Sequence, residues 1–152
     1  MSSGGSANQP NLQIMGQYIK DLSFENPSAP QGFTGNPELD FGVDLSARNM
    51  APEHYEVTLH MRVKANSEGR AVFLLELAYA AIVRIVNVPE EAMQPTLMIS
   101  APQLMFPFAR RIVADVVRDG GMPPLMIEPI DFVALYQTRM AQAAATPPAG
   151  TA

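Results

Sequence analysis

Tyr55-Glu56-Val57-Thr58-Leu59-His60-Met61-Arg62-Val63-Lys64, then Ala65-Asn66-Ser67-Glu68-Gly69, then Arg70-Ala71-Val72-Phe73-Leu74-Leu75-Glu76-Leu77-Ala78-Tyr79-Ala80-Ala81-Ile82-Val83-Arg84-Ile85-Val86, is the stretch that decides the fold. In the first run Tyr55, Val57, Leu59, Met61 and Val63 alternate with polar residues, as in a strand with one buried and one wet face. The turn at Asn66–Gly69 predicts that the next strand returns antiparallel. That strand carries Ala71, Phe73, Leu75, Leu77, Tyr79, Ala81, Val83 and Ile85 on one face and Val72, Leu74, Glu76, Ala78, Ala80, Ile82 and Arg84 on the other, so both faces are largely apolar and call for cover. At about 3.3 Å per residue it would run about 50 Å, which predicts a bulge or bend. The rest of the chain offers about three modest helices, so residues 70–86 are expected to form part of an oligomer interface.

Working outward, residues 1–11 read as a flexible polar tail. A strand follows from Leu12 to Phe24, with Leu12, Ile14 and Tyr18 on one side and Met15 and Ile19 on the other. It continues into Lys20-Asp21-Leu22-Ser23-Phe24-Glu25-Asn26-Pro27, where Asp21, Ser23 and Glu25 share a face. Taken alone, such a segment is a solvated strand edge. Pro27, Pro30, Gly32, Gly35 and Pro37 bar regular structure, and the length of this link predicts a crossing to a distant sheet edge, as in a Greek key. Phe41, Val43 and Leu45 predict a short second strand. After Val88 the period becomes helical. Pro89, Glu90 and Glu91 open a short helix ending by Ser100. A second helix is expected over Pro102–Asp119, with Met105, Phe108, Ala109, Ile112, Val116 and Val117 inward and Arg111 paired to Asp115. Gly120-Gly121 stops it, the prolines at 123, 124 and 129 hold an extended link, and Asp131 caps a last helix bearing Phe132, Leu135, Tyr136 and Met140. Ala143–Ala152 reads as a disordered tail, leaving 12–142 as one domain of antiparallel α+β class.

Composition narrows function. Residues 1–60 hold seven acids against two bases, while the remainder balances, for a net charge of −5. An acidic N-terminal half argues against nucleic acid and suits a basic partner. With no Cys, thiolate nucleophiles, disulfides and Cys-based metal sites are excluded. His54 and His60 lie six residues apart on one strand with no third ligand in sight, which argues against zinc. No activated nucleophile pairs with a positioned base, no glycine loop precedes a helix to cradle phosphate, and Asp21 and Glu25 lack the burial that raises a carboxyl pKa. The reading is therefore a binding protein, not an enzyme, with no cofactor or metal. No run is long enough to span a bilayer, and Met1–Ser6 lacks the basic and apolar regions of a secretory signal, so a cytoplasmic location is expected. Ten Met residues suit variable apolar partners, although Met in a stripe also serves as core.

The string Tyr18-Ile19-Lys20-Asp21-Leu22-Ser23-Phe24-Glu25-Asn26-Pro27-Ser28-Ala29-Pro30 resembles the first strand of SecB, the bacterial preprotein export chaperone family. Tyr55–Val57, Phe73–Glu76, Leu104–Arg110 and Pro129–Tyr136 fit the same family in order, so the resemblance spans about residues 12–140. It implies a four-stranded antiparallel sheet with helices packed on one face, assembling as a homotetramer, a dimer of dimers. It also implies that the protein binds unfolded preproteins without nucleotide and passes them to the translocation ATPase SecA, whose basic zinc-held tail would meet an acidic surface. By motif position, Asp21, Glu25, Leu74 and Glu76 match the SecA-docking surface, and Leu75, Leu77 and Tyr79 match positions tied to assembly. Phe33, Phe41, Val43, Leu45, Phe132, Leu135 and Tyr136 are candidates for an apolar client groove, and would equally serve as monomer core. The chain departs from the family in its uncharged tail and in Tyr79 with its flanking alanines. A SecB-like chaperone dedicated to another client, such as an antitoxin, is the alternative.

Overall fold

In a computed structural model of the chain, which describes residues 9–33 and 35–145, the alternating run becomes the third strand of a four-stranded sheet. The strands are β1 (Asn11–Glu25), β2 (Glu38–Ala51), β3 (His54–Ser67) and β4 (Arg70–Val86), in the spatial order β1-β4-β3-β2 with every neighbour antiparallel. This is the expected Greek key: three strands joined by tight hairpins, and β1 carried across to the far side of β4. Glu68 and Gly69, both at positive φ, close the β3–β4 turn, and Pro52–Glu53, with Glu53 at φ 65°, closes β2–β3. β2 is much longer than the expected Phe41–Leu45. Its second half, Ser46–Ala51, has no apolar alternation to announce it, and is held by pairing with β3 down to Ala51 opposite His54.

Helices cover one face only. α1 (Glu90–Pro95), a π turn (Thr96–Ser100) and α2 (Ala101–Asp119) follow one another, and α3 (Phe132–Ala145) comes after the proline-rich link. The break expected at Ser100 is not a break, since the backbone stays helical through Ser100 and Ala101. Pro102 cannot donate to the carbonyl four residues back, and the wide π turn just before it shifts the hydrogen-bond register without ending the helix. Under α2 lie Val57, Leu59, Met61 and Val63 of β3 and Leu75, Leu77, Ala81 and Val83 of β4, all buried. Met105, Phe106, Ala109, Val113 and Val117 meet them. Each of the larger side chains among them contributes about 1.5–3 kcal/mol. The inward stripe is thus rotated from the expected one, with Phe106 buried and Phe108 exposed. Asp115 pairs with Arg118 at 3.2 Å rather than with Arg111.

Cover for the second face of β4 comes from within the chain. Ala80 is fully buried between Tyr18 of β1 and Thr58 of β3, because a methyl group leaves room for longer neighbours to lean over it. Neighbouring strands of the same chain thus bury the small residues of this face, while Leu74 and Ile82 stay half-buried. The predicted irregularity falls near the start of β4, where Val72 is the extra residue between Ala71, opposite Asn66, and Phe73, opposite Ala65; β1 bulges as well, between Ile14 and Gly16 and again between Ile19 and Asp21. Each β1 bulge flips the alternation, so Tyr18 lies opposite Ala80 on the helix-free face while Leu12 and Ile14 stay on the helix face. β1 starts at Asn11 and α3 runs to Ala145, slightly beyond the expected 12–142; the rest of both expected tails, 1–8 and 146–152, lies outside the described residues.

α2 ends in a Schellman arrangement: Met122 N–H donates to Val117 O, Gly121 N–H donates to Arg118 O, and Gly121 sits at φ 87°. Asn26 Nδ2 donates to Gly120 O at 2.9 Å, tying this end to β1. A Cβ added at Gly120 would fall 2.7 Å from the Phe24 ring, which itself stacks on Phe73. Gly120→Ala is expected to destabilise by about 1–3 kcal/mol. Gly16→Ala, where an added Cβ meets nothing within 4 Å, should be neutral or stabilise by up to about 1 kcal/mol. Urea unfolding midpoints of the two variants provide the comparison.

Candidate functional site

The helix-free face is a lattice of side chains set by strand register. Running from β2 through β3 and β4 to β1, its ranks are Asp40–Lys64–Leu74–Glu25, Gly42–Arg62–Glu76–Ser23, Asp44–His60–Ala78–Asp21, Ser46–Thr58–Ala80–Tyr18 and Arg48–Glu56–Ile82–Gly16. Glu76 stands opposite Ser23, with Asp21 and Glu25 diagonal to it on either side, so the three carboxylates flagged in the sequence share one exposed patch. Leu74 is half-buried beside Glu25. Arg62 approaches Glu76 at 3.5 Å, both half exposed, a pairing worth at most about 1 kcal/mol. Asp21, Asp44, His60, Arg62 and Glu76 line a shallow depression of about 400 Å³. The patch offers several acceptors to a cationic segment.

One carboxylate on this face is not available to a partner. Glu56 is 5% exposed and accepts from Lys20 Nζ at 2.7 Å, from Arg48 Nε at 3.0 Å and from the Tyr18 hydroxyl. The Lys20 and Tyr18 donors, with help from Arg48, hold its carboxyl at about 2, well under the ordinary 4.5, against burial, which acts the other way. The same hydrogen bond pushes the Tyr18 phenol up. Lys20 is the residue at the second β1 bulge and Arg48 lies on β2. Glu56 thereby ties both outer strands to β3, and holds the bulge that returns Asp21 to the helix-free face. The alternation of β3 marks Glu56 as a solvated position, and nothing local in the sequence announces its three partners.

On the helix side, two adjoining clefts open beyond the core. One, about 670 Å³, lies between Leu39, Phe41 and Val43 of β2 and Leu125–Asp131, Ala134, Leu135 and Thr138. The other, about 610 Å³, is lined by Phe33, Leu39, Phe73, Val117 and Met122–Leu125. Of the seven groove candidates, Phe33, Phe41, Val43 and Leu135 line these clefts. Leu45 and Phe132 are core instead, 6% and 1% exposed, because Leu45 pairs with Leu59 and Phe132 sits edge-on to Phe106. Tyr136 is half-buried and outside both linings. The link 122–131 supplies much of the wall that sequence reading passed over. Its signal was there in Leu125, Met126 and Ile127, large apolar residues in a stretch that prolines keep out of helix and strand.

Leu75, Leu77 and Tyr79 are buried within the single chain. They are the direct cross-strand partners of Phe24, Leu22 and Ile19 on β1, and Tyr79 Oη donates to Gln17 Oε1 at 3.1 Å. They support the outer strand from beneath.

A family model described as preprotein translocase subunit SecB matches residues 5–143. Among curated relatives, the protein-export protein SecB of Paramagnetospirillum magneticum is 50% identical over 141 residues, 90% of each chain. That of Bradyrhizobium diazoefficiens is 48% identical over 138 residues, 89% of this chain and 86% of the relative. Among solved structures, the SecB-like chaperone of Mycobacterium tuberculosis, in complex with an antitoxin peptide, aligns with a TM-score of 0.62 at 17% identity, over 78% of this chain and 90% of that one. At that identity the likeness concerns the fold.

Because its folded-state pKa is depressed, Glu56 contributes stability above about pH 4.5 that is lost as the pH falls toward 2. Glu56→Gln is expected to lower stability near neutral pH by about 1–3 kcal/mol. The gap between wild type and variant should close between pH 4.5 and 2, read from urea midpoints across that range.

Proposed function

The chain belongs to the SecB family and is a preprotein export chaperone, and from that membership we propose that it holds unfolded precursors in the cytoplasm and delivers them to SecA. The observation that carries the docking half is the exposed patch of Asp21, Glu25 and Glu76 across β1 and β4, on the face no helix covers. A basic tail of SecA meets these carboxylates, with Leu74 as an apolar contact among them. Exposed charge pairs of this kind speed encounter and weaken with salt. Any zinc belongs to SecA.

The client half rests on the two clefts. An extended, unfolded segment places apolar side chains against Phe33, Leu39, Phe41, Val43 and the link 122–131, each burial contributing about 1.5–3 kcal/mol. Non-directional contacts of this sort accept many sequences, and release needs no bond making or breaking, so neither catalysis nor a cofactor enters the cycle. Among the described residues no helix is long and apolar enough to cross a membrane.

The working unit is a dimer of dimers. Met15, Ile19 and Leu22 on outer strand β1 and Leu104 and Phe108 on α2 are large apolar side chains left exposed in the single chain, and they supply the surface for assembly. Leu75, Leu77 and Tyr79 act by shaping β1 beneath that surface. The antitoxin alternative has less support, since the relatives near half identity are export proteins while the antitoxin-bound neighbour shares 17%.

Purified protein should bind the zinc-loaded C-terminal tail peptide of SecA, with affinity falling as salt rises from about 50 to about 300 mM. Asp21→Lys and Glu76→Lys should each weaken binding about five- to ten-fold; salt-insensitive binding, or two inert reversals, removes the docking assignment. Phe41→Asp should instead reduce the ability to keep a slow-folding precursor soluble and leave tail binding unchanged.

A further inference from the structure

One guanidinium links the two faces of the sheet. Arg139 of α3 reaches the outer edge of β2, where Nη1 donates to Leu45 O at 2.9 Å and Nη2 pairs with Asp44. Leu45 points into the core, whereas Asp44 points to the helix-free face and shares the rank His60–Ala78–Asp21. Asp44 also lines the same shallow depression as Asp21 and Glu76. On the other side, α3 is one wall of the 670 Å³ cleft, through Ala134, Leu135 and Thr138. Phe132, at its first turn, is the fully buried residue of this helix. Two turns later Arg139 ties the helix to the strand that forms the opposite wall.

We propose that Asp44 is shared between the two faces, so that a cationic segment docking on the carboxylate patch competes with Arg139, loosens α3 and weakens the grip of the clefts on a client. The inference rests on the docking and client readings given above and adds the link between them. Its physical basis is that Asp44 is open to a partner, its side chain 70% exposed, while that of Arg139 is 32% exposed. A cation arriving near Asp21 and Glu76 therefore lowers the attraction that keeps Arg139 in place. Losing that attraction frees the helix beyond Phe132, and the cleft loses the fixed position of one wall. Linkage makes the effect reciprocal: whatever factor docking takes from client affinity, a bound client takes from docking. An exposed ion pair sets the size at about two- to five-fold.

The test measures both affinities in one titration grid on the intact protein. The client probe is fluorescein-labelled, reduced and alkylated α-lactalbumin, and the cationic probes are the SecA tail peptide and an eight-residue oligolysine. Wild type should show client affinity falling about two- to five-fold at saturating cation, with the same factor for the reverse order. In Arg139→Gln the factor should fall to one, with weaker client binding and tail binding as strong as in wild type or stronger. Asp44→Asn should also abolish the coupling. Faster amide exchange in residues 136–145 of Arg139→Gln, without any ligand, checks the loosening directly. Coupling retained in Arg139→Gln, or wild type binding both probes independently, overturns the proposal. Oligolysine that binds and couples while the SecA tail does neither overturns the docking partner and upholds the link; no binding of either cation overturns both.

Discussion

β4 is the constraint on which everything else rests. Most of its 17 residues are apolar, on both faces, so it must lie inside the sheet with strands on both edges. One face takes α2. The other takes small residues, Ala78 and Ala80, under the side chains of β1 and β3. Placing β1 against β4, far along the chain from it, requires the long proline- and glycine-rich crossing. That crossing in turn brings Asp21 and Glu25 beside Glu76.

From the same register comes a division of labour between faces. Polar alternates of all four strands collect on the helix-free side, where backbone pairing spaces the carboxylates at fixed intervals. Apolar alternates collect on the helix side, and where the helices end they leave clefts instead of core. Glu56 keeps this arrangement rigid by binding cations and a phenol from strands on either side of β3. Such a network is costly to leave half made, since a buried carboxylate without its donors has no solvent to turn to.

Much of this was legible in the chain, and the reasons for the exceptions are physical. β3 could be read because one buried and one wet face leave a period-two record; β4 could be read as central because it lacks one. β2 could not be read past Leu45, because an outer strand with few buried side chains is held by backbone pairing that leaves no mark on composition. The β1 bulges were hidden because Met15, Ile19 and Leu22 are apolar yet exposed, so hydrophobicity did not report the face. Asp21, Glu25 and Glu76 were recognisable by motif, whereas the contacts of Glu56 with Lys20 and Tyr18 and the Arg139–Asp44 pair join residues 36 to 95 positions apart, which only the fold brings together. Leu45 and Phe132 were ambiguous between groove and core for the same reason: an apolar side chain looks alike in both until its neighbours are placed.

The central claim is that the partner and the client occupy opposite faces of one sheet. Site-specific photo-crosslinking tests it most directly, with p-benzoylphenylalanine placed at Ser23 on the helix-free face or at Phe41 in the cleft, in the presence of both SecA and an unfolded precursor. The account predicts that the Ser23 probe captures SecA and the Phe41 probe captures the precursor. Precursor captured at Ser23, or SecA captured at Phe41, would contradict it.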